Sequence, residues 1–296
     1  MKKQKELLKQ LYGFEFPESF FSFYEFTKKV PEATFQGTAG VMYMSLGEVF
    51  QVFSEIKNKN FNPVKISRYY SDPPEFFTIL RGHTDGRHWG YYIDDFNDLK
   101  NICVVSIEYE LNTVGNTIFE AFRRELELMY AHILGDTTNN PTYIEENKKD
   151  LELLDTLREI LISYETAERP EKGWDYYDKY SAKREITANT RDNMGIVVPP
   201  HLYRPIKGKD HFQVWNYVPT KKDVDALYKK AIQALHEGYP GTALKAGKDL
   251  WIYHEYFDTT YKLLNSAYEA LNRPQLCATL QLIKEYRDSC YKSNKI

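Results

Sequence analysis

A chain of 296 residues with 42% apolar content can bury a substantial core, and its length predicts two compact units. Thirty-nine basic against 42 acidic residues leave a net charge of -3, so the electrostatic footprint of a protein that grips nucleic acid by its phosphates is missing and direct DNA binding is not expected. Cys103, Cys277 and Cys290 lie far apart without a C-x-x-C pair, and no run of about 18 apolar residues or signal-peptide core occurs, which excludes the usual zinc, disulfide-framework and membrane signatures and predicts a soluble, intracellular protein.

In chain order, Phe16-Pro17-Glu18-Ser19-Phe20 places a proline at a helix start, with Phe20, Phe23 and Tyr24 following helical spacing. From Pro63 to Glu110 the pattern changes to short β-rich runs, Val64 to Tyr70, Phe76 to Leu80, Trp89 to Ile93 and Ile102 to Ile107. Turn formers at Asp72-Pro73-Pro74, Gly82 to Gly86 and Asp94-Asp95 separate them, and an antiparallel meander is the simplest fit. Phe119, Phe122, Leu126, Met129, Tyr130 and Ile133 then recur at helical intervals, with Gly135 as the expected stop. Residues 136–141 read as a linker, and Leu154, Leu157, Ile160, Leu161 and Tyr164 stripe a further amphipathic helix. The stretch from Glu168 to Asn193 is polar, and no element is assigned to it.

The last third is strongly helical. Thr220 followed by Asp223 resembles a capping box, and Val224, Leu227, Tyr228, Ala231, Ile232 and Leu235 form an apolar stripe ending at Gly238-Tyr239-Pro240. Helices are also expected over Leu244 to His254, over Phe257 to Leu271 with Pro274 as its stop, and through Leu276, Leu280 and Ile283. The predicted class is α+β: an N-terminal antiparallel sheet with flanking helices in a domain of residues 1–140, followed by a mainly α-helical domain of residues 141–296.

No G-x-G-x-x-G after a strand, Walker loop, H-E-x-x-H or G-x-S-x-G occurs, so nucleotide-binding, zinc-protease and serine-hydrolase readings lack their motifs. His83 and His88 are spaced too weakly for a metal pair and are expected to be surface residues; no metal is assigned. Glu237 projects opposite the Val224 to Leu235 stripe at about 100° per residue, so it faces solvent or a partner, and the helix C-terminus should raise its proton affinity. An incidental helix-end glutamate is the plain alternative. Tyr203-Arg204, between Pro200 and Pro205, is expected to be stiff and extended and carries two side-chain types that anchor interfaces. By itself the Arg68 to Phe76 turn reads only as a strand break.

Together these segments are similar to the histone PARylation factor family. Arg68-Tyr69-Tyr70-Ser71-Asp72-Pro73-Pro74-Glu75-Phe76-Phe77-Thr78-Ile79 followed by Gly90-Tyr91-Tyr92-Ile93-Asp94 resembles the family signature, and the D-P-P-E-F block is its specific part. The Phe16 to Phe20 opening, Gly195-Ile196-Val197-Val198-Pro199 and Gly247-Lys248-Asp249-Leu250-Trp251-Ile252-Tyr253 occur in the family's order, so the resemblance spans nearly the whole chain. It implies an accessory protein that binds a DNA-damage poly(ADP-ribose) polymerase and completes its active site, directing ADP-ribosylation to serine, notably on histones. Counting back without a gap from Gly247 places the family's catalytic glutamate at Glu237, and its Tyr-Arg interface pair at Tyr203 and Arg204. The family aspartate before that glutamate is replaced by His236, which would then face the partner. The resemblance implies no cofactor of the chain's own, with NAD bound by the partner transferase.

The segments before Tyr203 and between Arg204 and Glu237 are shorter than in the family. The basic N-terminal extension of animal members is not found, which weighs against histone binding and nuclear targeting; a distant, microbial member is expected, cytoplasmic if bacterial and nuclear if eukaryotic. Two other readings stay open. The opening helix and sheet also resemble SMI1/KNR4-like binding or immunity modules, which need no Glu237, and a stand-alone ADP-ribosyl hydrolase or transferase would turn over NAD unaided. The accessory reading requires the Glu237 carboxylate to point outward and to be free of an internal ion pair.

Overall fold

The computed structural model describes residues 1–36, 40–53, 68–69, 71–83, 86–99, 102–107, 110–136, 142–164, 184–208 and 217–293. It opens with α1 (Lys2–Tyr12) and α2 (Glu18–Thr27). Helix α1 is not among the predicted elements, because its lysines interrupt the apolar period; it buries Leu8 and Tyr12 and closes on Gly13 at φ 79°. Pro17 precedes α2 as expected. Phe20 stacks on Phe50 at 4.7 Å between ring centroids, and Phe23 meets Phe119 and Phe122 edge to face at 5.4 and 5.5 Å. Much of the aromatic content thus fills the core, in the offset and edge-on geometries that ring quadrupoles favour.

Five antiparallel strands, β1 (Met44–Leu46), β2 (Phe76–Gly82), β3 (His88–Tyr92), β4 (Cys103–Ile107) and β5 (Leu111–Gly115), pair in sequential order as the predicted meander. The expected strand at Val64 to Tyr70 lies outside the described residues, apart from Arg68 and Tyr69, which have no regular structure. Strands β1 and β5 went unpredicted: β1 has three residues, and β5 does not alternate in burial. Both sheet faces are covered. Phe77, Tyr91 and Val104 join the main core, whereas their neighbours Phe76, Tyr92, Cys103 and Val105 point the other way and pack with Met194. The period of two therefore separates the side chains while leaving β3 and β4 buried throughout.

Helices α3 (Ile118–Asp136), α4 (Tyr143–Glu146) and α5 (Lys148–Ile162) follow, with α3 packed on α2, α5 and β5. Gly135 does not stop α3; it lies inside the last turn, where a side chain would meet only open space. Residues 184–193, for which no element was assigned, are held by an isolated bridge between Ala188 and Ile196 and by a buried turn at Thr190 and Asp192.

The C-terminal region consists of α6 (Lys221–His236), α7 (Pro240–Leu250), α8 (Phe257–Ala270) and α9 (Pro274–Ser293). Pro274 is not the stop of α8 but the first residue of α9. The stop is Asn272, at φ 55°, where the amides of Asn272 and Arg273 return to the carbonyls of Glu269 and Tyr268. No described helix is long and apolar enough to cross a membrane. The observed architecture is the predicted α+β arrangement of sheet followed by helices.

Buried polar contacts tie the sheet to the helices. The Tyr268 hydroxyl donates to Glu75 Oε1 at 2.8 Å, and Trp251 Nε1 donates to the Ser71 carbonyl at 2.8 Å. Lys248 reaches the Tyr92 hydroxyl and lies 3.3 Å from Asp192, while Arg184 clamps Asp94 through two nitrogens at 2.7 and 2.8 Å. The Asp72 to Phe76 segment is thus more than a strand break. Asp72 accepts from the Tyr69 amide and faces His88 Nε2 at 3.0 Å, and the Arg68 guanidinium binds the carbonyls of Pro73 and Phe76. His88, expected at the surface, is buried at 1% exposure because it fills this joint; His83 is exposed as expected. Replacing Tyr268 by Phe leaves the buried Glu75 carboxylate without that donor and should cost about 1–3 kcal/mol in urea unfolding. Unchanged stability would show that the bond contributes nothing net.

Candidate functional site

The site is built from the two ends of α6 and the segment that precedes it. At the N-terminus the expected capping box is present: the Asp223 amide donates to Thr220 Oγ1, and the Thr220 amide donates to Asp223 Oδ2. Val224, Leu227, Ala231 and Ala234 are buried, which fixes the rotation of the helix about its axis. At the C-terminus the Gly238 amide donates to the Leu235 carbonyl and the Tyr239 amide to the Ala234 carbonyl, a Schellman motif with Gly238 at φ 89°. Glu237 is therefore the C-cap, and its side chain is exposed on the face opposite the core, as its spacing predicts.

Tyr203 is extended at φ -126° and ψ 135°, in keeping with the flanking prolines, and follows a single 3₁₀ turn over Pro200–Leu202. The segment lies hard against the start of α7, where a Cβ on Gly241 would come within 2.9 Å of the Leu202 carbonyl oxygen. Thr242 clamps the next residue, its Oγ1 accepting from the Arg204 amide at 3.0 Å and donating to the Arg204 carbonyl at 2.7 Å. The Arg204 guanidinium then lies 4.4 Å from the Tyr239 ring centroid and donates to Glu237 Oε2. Gln233, one turn earlier on α6, donates to Glu237 Oε1 at 2.8 Å. Both carboxylate oxygens are thus engaged, although the side chains of Arg204 and Glu237 remain 46% and 39% exposed.

The carboxylate points outward, as the accessory reading requires, but its ion pair with Arg204 departs from the other requirement, that it be free of such a pair, and the same pairing corrects the expected electrostatics. The hydrogen bond from Arg204, followed by that from Gln233, holds the Glu237 carboxyl below its ordinary value, whereas the helix C-terminus alone would have raised it. Two donors in contact outweigh a diffuse partial charge that falls off within a turn. His236 is exposed beside Glu237. Tyr203 is half-buried and packs on the core beside Ile206 and Leu227, so its ring secures the segment that presents Arg204. Sequence reasoning did not identify Gln233, Tyr239 or Thr242. The i,i+4 spacing of Gln233 and Glu237 was a usable signal; the Thr242 clamp had none, since it depends on the fold.

Other places offer less chemistry. A cavity of about 400 Å³ between the sheet and α3, lined by Met42, Arg87, Trp89, Glu125 and Met129 among others, contains none of these residues. Burial pushes the Cys103 thiol up to about 12, which rules it out as a ready nucleophile.

In the free chain, a carboxyl carbon NMR titration should place Glu237 below the ordinary glutamate value of about 4.3, and Arg204→Ala should bring it back toward that value. Because the folded value is the lower one, the pair stabilises the fold above the unfolded value and loses this contribution as pH falls through the folded value. Identical midpoints in both proteins would contradict the pairing.

Comparison with known proteins places these features in a family. Residues 3–287 match the family described as Histone PARylation factor 1. A curated relative, Histone PARylation factor 1 of Danio rerio, is 25% identical over 298 aligned residues, covering 92% of this chain and 82% of the relative. The family match takes in the sheet, the Asp72 to Phe76 joint and the Arg204–Glu237 site alike, and the chain belongs to the Histone PARylation factor 1 family.

Proposed function

We propose that the chain is an accessory factor that docks on the catalytic domain of a poly(ADP-ribose) polymerase and lends it Glu237 as a general base, directing ADP-ribosylation to serine. The observation that carries this reading is the carboxylate itself: half-exposed, at a rigidly capped helix end, within the family-matched region. Histones or other serine-bearing proteins are the proposed acceptors, as the family description suggests. NAD would be held by the transferase, where nicotinamide departs from the ribose carbon with the electrons of the broken bond.

The chain's own part is proton transfer and positioning. The serine hydroxyl keeps its proton at neutral pH, so its oxygen is a weak nucleophile. A carboxylate within hydrogen-bond reach takes that proton as the new oxygen–carbon bond forms, an effect worth ~10² to 10⁴ in rate. The Arg204 pair makes Glu237 a poor base in the free chain. On this account docking draws Arg204 onto an acidic or carbonyl group of the transferase, leaving the carboxylate to the acceptor serine. Gln233 continues to orient it through Oε1. Enclosure by the partner then excludes water and raises the proton affinity. His236 would face the partner beside Glu237, where the family has an aspartate.

The same ion pair favours a second reading, because an arginine partner accounts for Glu237 without any catalytic role. The chain would then be a plain binding module of the SMI1/KNR4-like kind. Two substitutions separate the readings. Glu237→Gln should lower serine modification by ~10² or more while the affinity for the transferase stays within about twofold. Arg204→Glu should weaken association by about tenfold or more. Loss of binding to the same degree in both, or full activity of Glu237→Gln, would leave only the binding module.

A further inference from the structure

The cavity of about 400 Å³ between the sheet and α3 plays no part in the Glu237 site. Its volume falls in the range of small-molecule sites, ~300–1,000 Å³. Met42, Trp89, Met129 and Ile133 supply an apolar wall, and the polar groups converge on one spot. There the buried Glu125 of α3 accepts from Arg87 Nη2 at 2.8 Å through Oε2, and from Trp89 Nε1 at 3.3 Å and Arg124 Nη1 at 3.2 Å through Oε1. The Arg87 guanidinium also lies 5.0 Å from the centroid of the Trp89 ring. The indole is thus fixed both by its nitrogen and by its face.

The hydrogen-bonding capacity of this cluster is unevenly used. A guanidinium carries five N–H donors and a carboxylate about four acceptor positions. Glu125 already receives three donors, whereas the Arg87 side chain makes one ion pair, through Nη2, and no other polar bond among the described residues. The cavity therefore offers spare donors and little spare acceptor, and the ligand it fits carries acceptor oxygens. Arg87, with its side chain 28% exposed, is hydrated in the free chain, and a planar carboxylate matches its fork. Asp150, exposed among the lining residues, disfavours a second negative charge, so a monoanion fits better than a phosphate.

Tyr43 marks the rim. It lines the cavity while 48% exposed, and its φ of 47° lies in the left-handed region that is costly for a bulky residue. Its amide donates to the Gly40 carbonyl and its carbonyl accepts from the His83 amide, which hold it in that conformation. Glycine would be relaxed there, and a half-exposed ring adds little to the core, so stability does not account for a tyrosine at this position.

We propose that this cavity binds a small monocarboxylate with an apolar body, the body lying against Met42, Met129 and Trp89 and the carboxylate on the free edge of Arg87. The proposal does not rest on the function assigned to Glu237. The test is calorimetric titration of the full chain with three probes that share one apolar body, namely phenylbutyrate, phenylbutanol and phenylbutylamine. Phenylbutyrate should bind saturably and about tenfold more tightly than either of the others. Arg87→Gln should weaken phenylbutyrate by about tenfold and leave phenylbutanol within about twofold. Met129→Trp, which fills the cavity and keeps the Arg87–Glu125 pair, should abolish binding of all three; this variant and the wild-type comparison decide the matter if Arg87→Gln fails to fold. Absence of saturable phenylbutyrate binding, phenylbutylamine binding as tight as phenylbutyrate, or unchanged affinity in Met129→Trp overturns the proposal.

Discussion

Between α6 and α7 the chain reverses through a residue that only glycine occupies without strain. Gly238 sits at φ 89° with nothing within 4 Å of a notional Cβ, so its restriction comes from the backbone and not from crowding. The two amide returns that close α6 fix Glu237 as the cap residue, and the buried stripe of α6 decides that this cap faces outward. Everything proposed for the site depends on that placement. A rotation of the helix by one residue, about 100°, would take Glu237 away from this outward position.

The second constraint is the polar joint between sheet and helices. A sheet with both faces covered must bring its hydrogen-bonding side chains into the interior, and each then needs a partner there. Glu75 finds Tyr268, Tyr92 finds Lys248, Asp94 finds Arg184, and Asp72 finds His88. Lys248 belongs to α7, the helix whose first turn clamps Arg204 through Thr242. The joint therefore sets the position of α7 against the sheet, and α7 in turn sets the position of the arginine. In this way a signature around Asp72, distant in sequence, helps to hold the site in place.

Elements with a strong period were legible in the sequence. The stripe from Val224 to Leu235 and the Thr220–Asp223 box give α6 with its observed start, and the same periodicity puts Glu237 outside. Short or charge-interrupted elements were not legible: α1 mixes lysines into its apolar face, and β1 is only three residues long. His88 looked like a turn residue because its burial depends on Asp72, a contact between separate segments. The ion pair with Arg204 was hidden for the same reason. Position on a helix follows from spacing, whereas the proton affinity of a side chain follows from neighbours that the fold brings together, and Arg204 comes from a segment 33 residues away.

The central question is whether the Glu237 carboxylate, paired with Arg204 in the free chain, is handed to a second protein. A structure of the complex between this chain and its transferase domain, with an unreactive NAD analogue and an acceptor peptide bound, answers it. The account requires the carboxylate at ~2.6–3.2 Å from the serine hydroxyl, with the Arg204 guanidinium withdrawn onto the transferase. An unbroken Arg204–Glu237 pair turned away from the dinucleotide would contradict it.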